Sequence, residues 1–361
     1  MKNISIISAV VLVWTSIASA ANVATLVGTG TAGFSETQVN NPYGMAIGPD
    51  GGLYFCDRGN QRIRRIDLKT RKMTTIAGNG QRGYAGDGGP AMEAMLSEPH
   101  EIAFDRAGDL YIAERDNHVI RKVNMKTRII STVAGTGVRG FSGDGGPGIR
   151  AQLSAPQGIF LDRDGTLLIC DVGNHRIRRL HLDTGIIETF AGTGAGEQTP
   201  EGAAVRGTPV NGPRSLAISA RGDLLIALRE GNGILRIDAA AGTYHRIAGS
   251  GQTGYSGDGG PALSATFGGA STGDGARVAG PKGLSYGPRD ILYVADTDSH
   301  AIRKLDLKSG VITTILGTGQ EGDGPQGDPL KYKLNRPHGV LFENGVLYVA
   351  DSEAHRILVL K

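Results

Sequence analysis

Residues 99–137 read PHEIAFDRAGDLYIAERDNHVIRKVNMKTRIISTVAGTG. Four short apolar segments alternate in this stretch with turn residues, and none of them keeps a helical period. The segments predict four strands, which we call a to d in chain order: Glu101–Phe104, Leu110–Ala113, Val119–Asn124 and Ile130–Ala134. The turns after strands a and b contain the Gly and Asn residues that tight turns favour. The stretch therefore predicts one small antiparallel sheet.

The same pattern occurs six times along the chain, which points to a repeat fold. A glycine-rich segment begins each unit, at residues 26–30, 76–80, 133–137, 190–194, 247–251 and 315–319. A proline then opens each strand a: Pro42, Pro99, Pro156, Pro213, Pro281 and Pro337. Six consecutive four-stranded units predict an all-β protein, a six-bladed β-propeller.

The two ends of the chain are expected to close this ring. Val23–Val27 has the sequence of a strand d, whereas the chain stops at Lys361 directly after a strand c. The N-terminal strand can therefore complete the sixth blade and remove the free edge between first and last blades. We expect residues 21–361 to form one propeller domain.

The first twenty residues have the features of a signal peptide. Lys2 supplies a positive start, the stretch 4–17 is largely apolar, and Ala18-Ser19-Ala20 gives a small-residue cleavage pattern. We predict cleavage near Ala20 and a secreted or periplasmic protein. No later stretch is long and apolar enough to predict a membrane span.

Composition restricts the partners that the protein can take. The 361 residues include 57 glycines and only 8 Phe, 10 Tyr and 1 Trp, and the net charge is +3. A bulk polycation is therefore excluded, and stacking partners for single-stranded nucleic acid are few. With the predicted export, we expect no nucleic acid partner.

Two motifs resemble a known repeat family. Asp171-Val-Gly-Asn-His-Arg-Ile-Arg-Arg179 follows an apolar strand b, and Gly-Asp-Gly-Gly-Pro loops occur at 86–90, 143–147 and 257–261. These motifs are similar to the NHL repeat as found in secreted bacterial NHL-repeat proteins, and the resemblance extends over residues 21–361. It implies the propeller fold but no single function, because this family includes binding modules and enzymes.

Residues repeated in most blades are expected to be structural. Strand b ends in an acid in five units, and four of these acids are followed seven residues later by arginine: Asp57 and Arg64, Glu114 and Arg121, Asp171 and Arg178, and Asp296 and Arg303. The fourth unit has Leu228 and Leu235 instead, a joint change that predicts a partly buried ion pair in the other units. In the sixth unit Asp351 faces Leu358, so we expect an unpaired acid and a candidate functional residue.

Two further repeated positions also have structural interpretations. His118, His175, His300 and His355 share one position in the turn before strand c, where we expect them to stabilise the turn. Cys56 and Cys170 share a position in blades one and three, too far apart for a disulfide. Two buried free thiols are therefore predicted.

A candidate ligand site lies where the central channel opens. Strand a is innermost in a propeller, so the residue after each marker proline should stand at the channel mouth: Tyr43, His100, Gln157, Arg214, Lys282 and His338. Unlike the repeated positions, these residues vary from blade to blade. Arg58, Arg115 and Arg229 follow strand b on this same face, which we call the top face, and Glu101 is the clearest acid expected there. The excess of basic groups suits a carboxylate, a phosphate or an acidic sugar.

The simplest function consistent with these residues is that of a non-catalytic binding module without a cofactor. Its top face would take a protein, peptide or glycan, or an anionic small molecule at the mouth. A purely structural module is a further alternative. The insertion at residues 268–279 enters blade five on the same face and is either a lid or a tolerated surface loop.

The alternative function is that of a metal-dependent enzyme. Calcium-dependent lactonases and esterases share this architecture, and calcium would draw on oxygen ligands such as Glu101, Gln157 and Asp351. His100 and His338 resemble the zinc-binding Pro-His pairs of peptide-amidating lyases, and Arg115 resembles their catalytic arginine. Arg115 and Asp351 are accordingly the candidate catalytic residues. Arg214 stands where a further zinc ligand would be required, which leaves the set incomplete.

Overall fold

The computed structural model describes residues 21–269 and 280–361, which form a six-bladed β-propeller. Each blade is an antiparallel sheet in which strands a to d are adjacent in chain order. Strand a of each blade contacts strand a of the next, and blade six contacts blade one, so the six inner strands surround a channel. This confirms the predicted fold. The predicted signal peptide and residues 270–279 of the insertion lie outside the described residues.

The strand bounds follow the repeat. Strand a spans Pro42–Ile47, Pro99–Phe104, Pro156–Leu161, Pro213–Ile218, Gly283–Gly287 and Pro337–Glu343. Strand b spans Leu53–Asp57, Leu110–Glu114, Thr166–Asp171, Leu224–Leu228, Ile291–Asp296 and Val346–Asp351. Strand c spans Arg62–Ile66, Val119–Val123, Arg176–His181, Gly233–Asp238, Ala301–Asp306 and Arg356–Leu360. Strand d spans Met73–Ala77, Ile130–Ala134, Ile186–Ala191, Thr243–Ala248 and Val311–Leu316, with Val23–Val27 in blade six.

The connectors contain only short elements. Two-residue strands lie at Gly146–Pro147, Thr253–Gly254, Gly260–Pro261 and Phe267–Gly268. One-turn 3-10 helices lie at Arg58–Asn60, Ala91–Glu93, Gly148–Arg150, Val172–Asn174, Ala262–Ser264, Pro288–Asp290 and Thr297–Ser299. Within residues 21–269 and 280–361, no helix has the length and apolarity needed to cross a membrane.

The N-terminal strand closes the ring as the sequence predicts. Val23–Val27 pairs antiparallel with strand c of blade six, with Val23 opposite Leu360. Beyond the strand, the backbone N–H of Asn22 donates to the carbonyl of Lys361 at 3.1 Å. The outer edge of strand c in blade six is therefore paired, as it is in the other five blades.

The hydrophobic core lies between neighbouring blades. Between blades one and two, for example, Tyr54 and Ile63 pack in one buried cluster with Ile112 and Val123. Strands b are largely buried, because they have a blade on either side. Both cysteines are buried on this strand and free of disulfide, as expected.

The acid at the end of strand b has three partners, as blade three shows. The Asp171 carboxylate accepts the backbone N–H of Ser154 at 2.6 Å and the side-chain N–H of Asn174 at 2.7 Å. It lies 3.5 Å from the guanidinium of Arg178, and both side chains are fully buried. The same arginine is 2.6 Å from Asp144, the acid of the Gly-Asp-Gly-Gly-Pro loop. That loop therefore uses its acid to neutralise a buried arginine.

The predicted ion pair is present in all four blades that carry both residues. The distances between the guanidinium nitrogen and the carboxylate oxygen are 3.5, 3.5, 3.5 and 3.7 Å in blades one, two, three and five. In blade four, Leu228 and Leu235 are each 1% exposed and fill the same space with apolar atoms.

The expectation that Asp351 is unpaired is wrong. Its carboxylate lies 3.3 Å from Nε of Arg356, the residue directly opposite it on strand c. It also accepts the backbone N–H of Asn335 at 2.6 Å. The seven-residue spacing of the other blades points to Leu358, whereas the arginine of this blade stands two residues earlier. Asp351 is thus one of the repeated structural acids.

The repeated histidines lie in the turn before strand c, as predicted, and also join neighbouring blades. Each has a left-handed backbone with φ between 47° and 55°. The Nδ1 atoms of His118, His175, His300 and His355 accept the backbone N–H groups of Ala155, Gly212, Arg336 and Asn41 at 3.1, 3.2, 3.3 and 3.1 Å. Each of these N–H groups precedes the marker proline of the next blade. In blade one, Gln61 replaces the histidine, and its side-chain oxygen accepts the N–H of Glu98 at 2.8 Å.

We expect the buried ion pair to be strongly coupled. Arg178→Leu leaves the buried Asp171 without its cation and should lower the free energy of unfolding by about 3–5 kcal/mol. The double variant Asp171→Leu/Arg178→Leu imitates Leu228 and Leu235 of blade four. Its loss of stability, measured by urea unfolding, should be smaller than the sum of the losses for the two single variants. Additive losses would contradict a coupled pair.

The histidine bonds predict a stability that falls with acid. Burial lowers the pKa of His118, His300 and His355 below the unfolded value of about 6.5, so the unfolded chain binds more protons. Protonation of these histidines should therefore lower the melting temperature as the pH decreases from 7.5 towards 5, whereas buried acids such as Glu114 and Asp296, whose pKa burial raises to about 7, act in the opposite direction. The variant His118→Gln/His300→Gln/His355→Gln keeps an acceptor, as Gln61 does, so its change in melting temperature between pH 7.5 and pH 5 should be less negative than that of the unmodified protein. His181→Gln, at a histidine outside these inter-blade bonds, is the control; an unchanged slope in the triple variant would refute this explanation.

Candidate functional site

A polar cavity of about 400 Å³ opens at the top mouth of the channel. Its lining residues are Tyr43, Arg58, His100, Arg115, Gln157, Arg214, Arg229, Lys282, Arg336 and His338. Nine of these ten belong to the set proposed from the sequence. The structure thus brings these side chains together around one space, whereas their role as ligand-binding residues remains a prediction.

A backbone irregularity directs the residue after each marker proline into the mouth. In blade one, Pro42 is paired with Asp57 but Met45 with Phe55, so two residues of strand a stand opposite one of strand b. The same bulge occurs in blades two, three, four and six. A bulge of this kind reorients the extra side chain. Tyr43 and its equivalents therefore face the mouth.

Glycine follows the mouth residue where neighbouring strands a approach closely. A Cβ at Gly339 would be 2.6 Å from the carbonyl oxygen of Tyr43, and a Cβ at Gly283 would be 2.5 Å from that of His338. Real Cβ atoms do not come so near to backbone oxygens, so a larger residue would push the blades apart. The mouth is therefore rigidly framed by backbone.

Two neutral histidines and a tyrosine form one wall of the cavity. The rings of Tyr43 and His338 are stacked with centroids 4.1 Å apart, and Tyr43 meets His100 edge-on at 4.8 Å. Nδ1 of His338 lies 2.9 Å from the carbonyl of Arg336. A carbonyl can only accept a hydrogen bond, so Nδ1 carries the hydrogen of the neutral ring. Nε2 is then the acceptor for the Tyr43 hydroxyl at 3.0 Å. Nδ1 of His100 donates likewise to the carbonyl of Glu98 at 2.9 Å.

Burial keeps these two histidines uncharged. Burial lowers the pKa of both imidazoles well below the usual value. The nearby charge of Arg214 lowers the pKa of His100 further, and that of Lys282 lowers the pKa of His338 further. Nε2 of His100 is then an acceptor facing the cavity. The pKa of the Tyr43 hydroxyl is raised by burial, so the hydroxyl remains a donor.

Among the described residues of the lining, six of the ten are cationic and none is acidic. Carboxylates stand behind the basic groups: Glu98 pairs with Arg58, Asp116 with Arg115, Glu230 with Arg229, and Asp298 with both Lys282 and Arg336. These acids orient the cations without entering the lining. Burial lowers the pKa of Lys282 to about 8 even though Asp298 lies 2.7 Å away.

Arg214 differs from the other five cations. It is 2% exposed, and its Nη1 has no hydrogen-bond partner among the described residues. Within residues 21–269 and 280–361 no carboxylate lies within ion-pair distance of it, although Glu101 is near enough to influence its pKa. A guanidinium that lines a cavity without a counter-ion is a ready site for an anion.

Two of the sequence-based site residues lie elsewhere. Glu101 was expected at the mouth, but it is the second residue after Pro99 and lies one level lower, in the channel beneath the ring of Tyr43 and His100. There, burial raises the pKa of its carboxyl to about 7, with Arg214 acting in the opposite direction. Asp351, an alternative catalytic residue, does not line the cavity. Arg115, the other alternative, does.

Arg336 is the lining residue that the sequence reasoning missed. It precedes the marker proline Pro337 and has a left-handed backbone, with φ of 49°. Its guanidinium lies 2.8 Å from Asp298 and also pairs with Glu353. Inspection of the residue before each proline, as well as the residue after it, would have found it.

The cavity residues fit a metal ion poorly. Over residues 21–269 and 280–361, no three His, Cys, Asp or Glu side chains are arranged to hold one. Both histidines use Nδ1 on a backbone carbonyl, and Nε2 of His338 is already bonded to Tyr43. Six cationic side chains around the same space would further repel a divalent cation.

Comparison with known proteins identifies the repeat. The NHL repeat profile matches residues 334–360. NHL repeat-containing protein 2 of Bos taurus is 29% identical over 343 residues, which cover 86% of this chain and 46% of the bovine protein. The human protein of the same name is 27% identical with the same coverage. The chain thus spans about half the length of these relatives.

Solved structures share the fold at low sequence identity. An auxiliary nutrient binding protein from Bacteroides thetaiotaomicron superposes with a TM-score of 0.65 at 16% identity, covering 94% of this chain and 76% of that one. Virginiamycin B lyase from Staphylococcus aureus superposes with a TM-score of 0.53 at 16% identity, covering 94% and 98%. At such identities the likeness concerns the fold alone.

Proposed function

We propose that this NHL-repeat β-propeller is a binding module that takes an anionic group into the cavity at its top mouth. The group is a carboxylate or phosphate, carried by a small molecule such as an acidic sugar or by a peptide, protein or glycan seated on the top face. The observation that carries this proposal is Arg214, a buried guanidinium that lines the cavity without a counter-ion among the described residues. Export of the protein, expected from residues 1–20, remains part of the proposal.

The electrostatics of the cavity support an anion. A buried charge is costly unless it is paired and hydrogen-bonded, and the other cations of the lining already have carboxylate partners. An anion bound at Arg214 would supply that missing partner. The planar guanidinium favours oxyanions, because two parallel N–H groups match two oxygens.

The neutral groups of the cavity suit a ligand that also carries hydroxyl groups. Nε2 of His100 can accept a hydroxyl proton, and the amide of Gln157, which is 4% exposed, can donate and accept. A solved structure of the same fold is named as a nutrient binding protein, which agrees with a small-molecule ligand without establishing one here.

Isothermal titration with inorganic phosphate, galacturonate and neutral galactose tests the proposal. We expect at least one of the two anions to bind and galactose to bind much more weakly. Arg214→Gln should weaken anion binding by about tenfold to a hundredfold, since a charged hydrogen bond contributes about 1.5–3 kcal/mol. Arg150→Gln, an exposed residue in a connector, removes the same charge and should leave the affinity unchanged.

Two outcomes would contradict an anion site at Arg214. One is that neither anion binds to the folded protein. The other is that the Arg214 and Arg150 variants lose affinity equally, because that result would assign binding to net charge rather than to the cavity.

We also propose that the cavity functions without calcium or zinc. The reason is the unfavourable geometry and charge around His100 and His338. Elemental analysis of protein purified without chelator should find far less than one calcium or zinc ion per chain, and added zinc should not raise the melting temperature. A stoichiometric ion that disappears in His100→Ala/His338→Ala would instead support the metal-dependent enzyme.

A further inference from the structure

The lower half of the channel is a second cavity, distinct from the one at the top mouth. It has a volume of about 430 Å³ and is lined by strands a of the blades, beginning one residue below the mouth ring. Gly44, Glu101, Ser215, Gly283 and Gly339 mark its inner end. The two cavities have no lining residue in common. The lower cavity opens towards the opposite face, where strands a end.

Most of the side chains in its wall are apolar, such as Met45, Ile102, Leu216 and Val340, although polar atoms also contribute to the surface. The lining hydroxyls already have partners: Ser215 accepts the N–H of Leu284, Ser285 accepts that of Phe342, and Tyr286 donates to Asp290. The methylene groups of a ligand would therefore find apolar side chains to contact.

Two carboxylates stand at the ends of this apolar passage. Glu101 lies at the inner end and Glu343 at the outer end, and among the described lining residues they are the only ionisable groups apart from the Tyr286 phenol. Within residues 21–269 and 280–361, neither forms an ion pair. In that part of the chain, the Glu101 carboxylate accepts one long hydrogen bond, from the backbone N–H of Ile102 at 3.4 Å.

The separation of the two carboxylates follows from the strand register. Glu101 and Gly339 are both the second residue after a marker proline, so they lie at the same level of the ring. Glu343 is four residues further along strand a of blade six. At about 3.3 Å per residue, the two levels are about 13 Å apart.

We propose that the lower channel binds a linear aliphatic diamine, with one ammonium group at Glu101, the methylene chain along the apolar walls and the second ammonium group at Glu343. A chain of roughly eight to ten carbons spans this distance, given the length of a C–C bond. The charge of the lining selects amines over acids, because the lower cavity has two carboxylates and no cation. The top cavity has the opposite preference, so this inference does not depend on the anion site.

Binding of amine probes at pH 8 tests the proposal, because the Glu101 carboxyl, whose pKa is about 7, is then mostly ionised. α,ω-Diaminooctane should bind at least about tenfold more tightly than octylamine, which has one ammonium group, and than diaminobutane, which is too short to reach both acids. Isothermal titration gives the affinities. Equal affinities for diaminooctane and octylamine would overturn the two-carboxylate site.

Matched carboxylate variants locate the site. Glu101→Gln should weaken binding of diaminooctane by about tenfold or more, and Glu343→Gln, at the more open end, by about two- to fivefold. Glu197→Gln, an exposed acid in a connector, is the control and should have no effect. If Glu101→Gln fails to fold, as judged by its melting curve, Glu343→Gln and the series of probe lengths still decide the question.

A further variant separates the two cavities. Arg214→Gln weakens the proposed anion site and should leave diamine binding unchanged or strengthen it, since the nearby positive charge is removed. Loss of diamine binding in Arg214→Gln with retention in Glu101→Gln would place the amine outside the lower channel and refute the inference.

Discussion

In blades one, two, three and six, the connector that leads into the blade is held by two hydrogen bonds from backbone N–H groups to side chains, and the geometry of the channel mouth depends on them. In blade three, the N–H of Ser154 is bound by Asp171 of the same blade and the N–H of Ala155 by His118 of the preceding blade. Together the bonds fix the last two residues before the marker proline. The bulge that follows begins from a fixed point, and the next side chain is directed into the mouth. The same hydrogen bonds and bulge thereby direct into the mouth a side chain whose type differs from blade to blade.

The sequence predicted the fold and most of the mouth because both depend on repetition. The marker prolines established the register of strand a, and that register identified Gln157 and Arg214 as neighbours although they are far apart in the chain. The sequence-based predictions were wrong where the placement of a side chain depends on its exact position along the strand. The bulge that places Glu101 one level below the mouth cannot be recognised from one sequence, and the arginine that pairs with Asp351 stands at a different position of strand c from the arginines of the other blades.

The role of the histidines shows the same limit. Their common position in a turn was correctly predicted, and their left-handed backbone agrees with it. Their inter-blade bonds involve residues 36 or 37 positions later, or on the far side of the ring closure for His355. Only the packing of one blade against the next brings these groups together. Gln61, which differs in type from the histidines, has the same role because an acceptor of similar reach is all that the position requires.

The pairing of Val23–Val27 with the last strand also determines how the propeller can be connected to other structures. Asn22 and Lys361 are joined by a backbone hydrogen bond, so both ends of the propeller lie at one outer edge of blade six. A segment joined after residue 361 would therefore begin at this outer edge of the ring. A linker of a few residues between the two ends would make a circular permutant, with new termini in a turn of another blade. The strand pairing of the ring would be retained in such a permutant, because the new termini lie in a turn.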